Sequence, residues 1–88
     1  MKVEYSRHLR NRLTLRKISD DLPYQLYTES DERYYDIEIG HTVATMRAVI
    51  NFKMREVMVA YDIEEQTVTL LRVHPLKEGQ KENRVKSG

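Results

Sequence analysis

Basic side chains suited to phosphate chemistry recur through the second half of the sequence. Arg47, Arg55, Arg72 and His74 all lie in segments rich in β-branched residues. An arginine offers a planar fork of donors that matches a phosphate, and a histidine can move a proton near neutral pH. Together these groups could hold a phosphodiester and stabilise the charge that develops on it during cleavage. RNA would be the natural substrate, because its 2′-hydroxyl supplies the nucleophile without a metal or cofactor.

The register of three predicted strands decides whether these groups meet. The strands are expected at residues 42–50, 54–62 and 67–75, joined by short connections as in an antiparallel meander. If Arg47 faces Val57 and Val57 faces Arg72, alternation brings all four basic groups to one end of one sheet face. Like charges on adjacent strands repel, so this arrangement favours an anionic ligand. The alternative is that acids of residues 29–38 pair with these arginines as ordinary surface ion pairs.

The same register divides the apolar residues between the two faces. One face would be covered by helices, and it collects Ala44, Met46, Ala48, Ile50, Met54, Met58, Ala60, Leu71 and Val73. The other face would expose a partner-binding surface formed by Val59, Tyr61, Val68 and Leu70. The C-terminal tail or a second copy of the chain could cover that surface instead.

Two helices are predicted ahead of these strands. Residues 5–17 lack Gly and Pro, and Leu9 and Leu13 share one helix face. The polar residues 19–21 followed by Pro23 predict the start of a second helix. A short strand or an irregular edge is expected at residues 34–39 before the meander begins.

Two further groups of basic residues have helical spacing and could contact RNA phosphates. His8, Arg12 and Arg16 form a stripe about 100° from the leucine face of the first helix. The second group lies in residues 76–88, a basic C-terminal tail, and consists of Lys77, Lys81 and Arg84. A solvated helix face and a disordered chain end are the plain alternatives for these two groups.

Length and composition favour a single small cytoplasmic domain over residues 1–88. A chain of 88 residues has room for one core. The sequence contains no Cys, which excludes a thiolate metal site and favours a reducing compartment. Net charge is only +1, but residues 1–17 carry six Lys/Arg against one acid, whereas residues 18–40 carry one against seven. Such asymmetry is typical of proteins with nucleic-acid or acidic partners.

Four motifs together resemble the RelE/ParE toxin superfamily. They are His8-x3-Arg12-x3-Arg16, Leu22-Pro23, Arg55-Glu56-x-Met58-Val59-x-Tyr61 and Val73-His74-Pro75. Within the superfamily the sequence is most similar to a small uncharacterised branch near the BrnT-type toxins. The resemblance implies an α+β, RelE-like fold, with two N-terminal helices packed on one face of a three- to four-stranded antiparallel meander sheet.

The resemblance also implies a function and a set of site residues. Many members are mRNA interferases neutralised by an antitoxin, and the ParE side poisons gyrase. It implies that Arg47, Arg55, Arg72, His74 and Arg84 lie where such toxins place basic catalytic residues. We therefore expect a metal-independent endoribonuclease of a type II toxin–antitoxin pair, with RNA (free or on the ribosome) and an acidic antitoxin as partners. A non-catalytic RelE-fold module that binds an acidic peptide or nucleic acid, a ParE-like gyrase inhibitor, and pairing as a homodimer stay open.

Overall fold

A computed structural model describes residues 2–50 and 52–76, and it shows two helices and five strands. In chain order these are β1 (Lys2–Tyr5), α1 (Arg7–Arg16), α2 (Leu22–Glu29), β2 (Glu32–Asp36), β3 (His41–Ile50), β4 (Lys53–Glu64) and β5 (Thr67–Pro75). The predicted α+β class is confirmed. Neither helix in this part of the chain has the length and apolar character needed to cross a membrane.

The sheet is mixed, with the strand order β1-β5-β4-β3-β2. Strand β1 pairs with β5 in parallel, and every other pair is antiparallel. The expected three- to four-stranded, purely antiparallel sheet is therefore wrong. The strand that the sequence did not predict is β1, directly before the first helix. Strand β1 has four residues, and its parallel partner lies more than 60 residues away, with Val3 opposite Val68. Because no local turn connects the two strands, the nearby sequence does not indicate the pairing.

Helix α1 begins at a side-chain cap and buries its leucine face. The Ser6 hydroxyl accepts the Leu9 N–H at 3.0 Å, which satisfies one of the free donors of the first turn. The helix ends at Lys17, whose left-handed backbone (φ 54°) lets its N–H reach the carbonyls of the last turn. Leu9 and Leu13 are 1% and 3% exposed, so the predicted four-residue spacing of the buried face is confirmed.

Helix α2 starts as the sequence predicts, with Pro23 in its first turn, where no N–H is needed. The helix buries its own residues Leu22 and Leu26 in the core. Arg33, at the start of β2, fixes α2 on the sheet because its guanidinium lies 4.8 Å from the Tyr27 ring and 5.8 Å from the Tyr61 ring. The same group donates to the Tyr61 hydroxyl at 3.1 Å and to the Tyr27 carbonyl.

The observed register of β3 and β4 differs by one residue from the predicted one. Arg47 lies opposite Glu56, not opposite Val57. The cause is the turn: Ile50 pairs with Lys53, so only residues 51 and 52 connect the strands, and Phe52 takes a left-handed backbone (φ 66°). Because side chains alternate between faces, a shift of one residue transfers every β4 side chain to the opposite face.

This shift overturns the predicted division of the apolar residues. Val59, Tyr61, Val68 and Leu70 lie in the main core beneath the helices and are 0%, 4%, 0% and 0% exposed. The exposed partner-binding surface predicted from them does not exist on the open face. Met54, Met58 and Ala60, expected beneath the helices, lie on the open face instead, where a second small cluster buries Val43, Met58, Ala60 and Leu76.

Candidate nucleic-acid interface

The sheet narrows from five strands to three along its length. Strand β1 pairs with β5 only at Thr67–Leu70, and β2 pairs with β3 only at His41–Thr45. Within residues 2–50 and 52–76, the second halves of β5 and β3 therefore have a strand neighbour on one side only. We call residues 71–75 the β5 edge and residues 46–50 the β3 edge. Because β4 is antiparallel to both strands, the two edges lie at the same end of the sheet.

The β5 edge and α1 form the two walls of a groove of about 180 Å³, here called the basic groove. Its lining residues come from α1 on one side and β5 on the other, and they are His8, Arg12, Arg16, Arg72, Val73 and His74. No acid of the described residues lines it. The structure thus brings together two groups that the sequence predicted separately: the helix stripe and the last two of the four strand residues.

The connection between β1 and α1 places the stripe against β5. The Ser6 N–H donates to the Leu70 carbonyl at 2.9 Å, and the Ser6 hydroxyl donates to the Leu71 carbonyl at 3.1 Å. These bonds fix the start of α1 where β1 stops pairing. With Leu9 and Leu13 turned into the core, the face about 100° away lies along the β5 edge. The four-residue spacing of His8, Arg12 and Arg16 therefore lets all three side chains line the basic groove.

A β-bulge in β5 turns its basic residues out of the core. Tyr61 pairs with Leu70, whereas Ala60 pairs with Arg72, so Leu71 is an extra residue in the ladder. Without this insertion, Arg72 would share the buried side of Leu70. Beyond the bulge, Arg72 is exposed and His74 is half-buried, while Val73 between them packs into the core.

The backbone of Val73 adds a donor to the groove. The Leu76 N–H donates to the Glu56 carbonyl at 2.9 Å, so Leu76 directs its backbone groups toward β4. Residues of an antiparallel pair alternate in this respect, so Val73, three residues earlier, directs its N–H and carbonyl away from β4. Val73 as a whole is 5% exposed and packs into the core cluster, and the outward direction of its N–H and carbonyl makes its backbone the part that borders the groove.

The His74 imidazole makes a hydrogen bond to the backbone of its own chain. Its Nδ1 lies 3.0 Å from the Pro75 carbonyl oxygen. A carbonyl can only accept, so Nδ1 carries the hydrogen in this bond and Nε2 of the neutral ring carries the lone pair. An imidazole held in this way is suited to take a proton from a substrate hydroxyl at Nε2.

The arginines of the groove are not neutralised by described acids. Lys2 pairs with Glu4 at 2.9 Å, and the His41 ring contacts the Asp62 carboxylate at 2.7 Å. Neither pair involves Arg12, Arg16 or Arg72, and all three of these side chains are exposed. A groove with this excess of positive charge attracts an anion by the sum of several moderate, salt-sensitive contacts.

The remaining predicted site residues lie elsewhere. Arg47 is on the same face as Arg72 and His74, but it lies two strands from His74, roughly 7 Å along the sheet and 10 Å across it. Arg55 pairs with Ala48 and therefore points to the helix side. The single pocket of four basic groups does not form, because neither expected pairing is observed: Arg47 lies opposite Glu56, and Val57 lies opposite Pro75, not opposite Arg72. Lys77, Lys81 and Arg84 lie outside the described residues.

One sequence signal could have located the basic groove. Val3 and Tyr5 alternate with charged residues before Ser6, which is the pattern of a short strand followed by a helix cap. Pairing that strand beside β5 would have carried the helix stripe to Arg72 and His74. The parallel pairing itself has no local sequence signal.

The chain was compared with protein-family models, with curated proteins and with solved structures, and none of these comparisons found a match. The candidate site therefore stands on its geometry alone. Within the described ranges, no group of three or more His, Asp or Glu side chains is arranged to hold a metal ion.

Proposed function

We propose that the protein is a toxin-like endoribonuclease with a RelE-like fold and that the basic groove is its site. The observation that carries the proposal is the convergence of three arginines and two histidines from α1 and β5 on one groove that no described acid lines. Phosphodiester binding needs multiple donors with positive charge, and transfer of protons needs a residue such as histidine. RNA is favoured over DNA because the reaction uses its 2′-hydroxyl.

In the proposed mechanism the arginines and the Val73 N–H hold the scissile phosphate. Nε2 of His74 removes the proton from the 2′-hydroxyl, and the 2′-oxygen attacks phosphorus. The bond from phosphorus to the 5′-oxygen breaks, and the protonated imidazole of His8, on the opposite wall, donates its own proton to that oxygen. The products are a 2′,3′-cyclic phosphate and a 5′-hydroxyl, and no metal or cofactor takes part. Stabilisation of the developing negative charge by a positioned donor contributes about 3–4 kcal/mol to such reactions.

The proposed setting is a type II toxin–antitoxin pair in the cytoplasm. An acidic antitoxin would complement a protein whose first 17 residues carry six Lys/Arg against one acid. A small acidic reading frame beside the gene would support this setting.

The decisive experiment is cleavage of end-labelled RNA by the purified protein, with and without ribosomes. We expect products that end in a cyclic phosphate, and no cleavage where the attacking nucleotide is 2′-deoxy. His74→Ala and Arg72→Ala should each lower the rate about 100-fold or more while folding is retained. Arg10→Ala removes an exposed arginine of α1 outside the groove and should leave the rate unchanged.

Two results would replace this proposal with its alternatives. Salt-sensitive RNA binding without any product would indicate a non-catalytic module, which the small, open groove also suits. Inhibition of supercoiling with RNA left intact would indicate a gyrase inhibitor. Equal rates in wild type and His74→Ala would remove the histidine from the mechanism.

A further inference from the structure

The β3 edge borders a second concave surface, of different character from the basic groove. A cavity of about 400 Å³ lies between this edge, the connection from α1 to α2, and the first turn of α2. Its apolar lining consists of Ile18, Leu22, Met46, Ala48, Val49, Ile50 and Met54. Val49 and Met54 remain 59% and 57% exposed, and Phe52 beside them is fully exposed. Exposed apolar side chains concentrated in this way mark an interaction surface.

The backbone at this edge is arranged to pair with another strand. The Asp31 N–H donates to the Thr45 carbonyl at 2.9 Å, so Thr45 directs its backbone groups away from β4. By the alternation of an antiparallel ladder, Arg47 and Val49 do the same. No strand of the described ranges pairs with them on that side. The edge therefore offers two N–H donors and two carbonyl acceptors in line with an apolar cavity.

The charges around the cavity are positive. Lys17 and Arg47 line it, and no acid among residues 2–50 and 52–76 does. Lys53 and Arg55 follow on β4, opposite Ile50 and Ala48, and both are exposed. Glu56, which lies opposite Arg47 on the neighbouring strand β4, does not line the cavity. A partner that fills this surface must supply apolar side chains together with negative charge.

We propose that the β3 edge binds an extended acidic segment of a partner protein, which adds to the sheet as a further strand beside residues 46–50. Apolar side chains of the segment enter the cavity, and its Asp or Glu residues pair with Lys17 and Arg47. Main-chain hydrogen bonds give such complexes affinity, and the pockets for alternate side chains give them specificity. The inference is independent of whether the basic groove cleaves RNA.

Charge argues against the other occupants. A second copy of the chain paired edge to edge would place Arg47 and Lys17 of both copies together, and like charges across strands repel. Residues 77–88 of the same chain carry four Lys/Arg against two acids, so this segment has the wrong charge. A nucleic acid has the right charge but cannot pair with the Arg47 and Val49 backbone as a strand does.

A peptide-display experiment tests the proposal while the partner protein is still unidentified. The wild-type protein serves as bait for a library of random twelve-residue peptides. We expect enrichment of peptides in which Asp or Glu alternates with apolar residues. No enrichment, or enrichment of basic peptides, would overturn the proposal.

Variants then locate the binding of an enriched peptide. Val49→Pro removes a donor that faces away from β4, so it blocks strand addition while the β3–β4 ladder keeps its bonds. We expect Val49→Pro and Arg47→Glu each to weaken the measured affinity tenfold or more. Arg10→Glu makes the same charge change on an exposed position of α1 and should alter the affinity less than twofold. Affinity unchanged in Val49→Pro would show that the peptide does not add as a strand.

Hydrogen exchange on the wild-type protein gives a second readout that needs no variant. Bound peptide should slow exchange of the Arg47 and Val49 amides, and N-methylation of alternate peptide residues should abolish both binding and protection. Protection confined to α1 and the β5 edge would contradict the proposal. Light scattering then measures the oligomeric state. A wild-type dimer that becomes a monomer in Val49→Pro would show that a second copy of the chain binds this edge, and would overturn the proposal.

Discussion

Within the described residues, the β5 edge and the β3 edge each lack a strand neighbour on one side, because the outer strands β1 and β2 pair with only the other half of β5 and β3. The two edges nevertheless present different side chains to a ligand. At the β5 edge, α1 lies alongside and presents His8, Arg12 and Arg16, so the gap becomes a charged groove. At the β3 edge, the nearest elements present Ile18 and Leu22, so the gap becomes an apolar cavity with a positive rim. An incomplete sheet edge therefore does not by itself define a site. The side chains that a neighbouring helix presents decide what the edge can bind.

The largest effects should come from removing the leucine that holds each wall in place. Leu9 packs α1 on the sheet beside the basic groove, and Leu22 packs α2 beside the β3 edge; both are buried. Each Leu→Ala change should lower the free energy of unfolding by about 2–5 kcal/mol, measured by urea denaturation. In the fraction that stays folded, Leu9→Ala should weaken RNA binding more than peptide binding, and Leu22→Ala should do the reverse. Equal losses of both in each variant would show that the edges act as one surface.

The next largest effect should be a difference in salt dependence between RNA binding at the basic groove and peptide binding at the β3 edge. If three groove arginines each neutralise one phosphate of single-stranded RNA, the logarithm of affinity falls with log salt at a slope of about −2. Raising salt from 50 to 200 mM would then weaken RNA binding roughly 20-fold. Peptide binding at the β3 edge depends on backbone bonds and apolar contacts as well, so it should weaken less over that range. Fluorescence anisotropy at four salt concentrations measures both slopes, and parallel slopes would refute the distinction.

The smallest effect concerns the hydrogen bonds of Tyr5, which lie outside both edges. The Tyr5 hydroxyl donates to the Asp20 carbonyl at 2.6 Å and accepts the Tyr24 N–H at 3.2 Å, so it links β1 to the start of α2. Tyr5→Phe should cost about 1 kcal/mol of stability at neutral pH. Both binding activities should persist, which thermal unfolding and the two binding assays would check.

The same tyrosine predicts the direction of a pH effect. Desolvation by partial burial raises the pKa of the Tyr5 hydroxyl above its ordinary value of 10.0, with Asp21 and Asp20 adding to the shift. The unfolded chain then ionises at lower pH than the folded chain, so stability falls as the pH rises above about 10. Denaturation curves between pH 9 and 11 should show a smaller fall for Tyr5→Phe than for wild type. An identical fall would assign the alkaline loss to other groups.

The sequence predicted what local patterns determine. The buried face of α1 follows from the four-residue spacing of Leu9 and Leu13. Strand β5 spans the predicted residues 67–75, and Pro75 ends it. The stripe of α1 was also correctly placed on one helix face. These features depend on propensity and periodicity within a single element.

The predictions failed where pairing between elements decides the outcome. The register of β3 and β4 depends on a two-residue turn at Phe52, and no Gly signals its left-handed backbone. The bulge at Leu71 and the parallel partner of β1 are likewise long-range features. Of the four predicted catalytic residues, Arg72 and His74 lie in the basic groove, whereas Arg47 and Arg55 do not. A site that spans several strands is only as predictable as their register.

Strand β1 joins the first residues of the chain to the last strand of the sheet, and this has a consequence for biosynthesis. The stripe on α1 is synthesised first, and its opposite wall, Arg72 and His74, follows about 60 residues later. Any chain that stops before residue 67 lacks the strand on which α1 docks. A nascent polypeptide without β5 therefore holds only half of the cationic surface, and the completed surface arises only when α1 docks on β5.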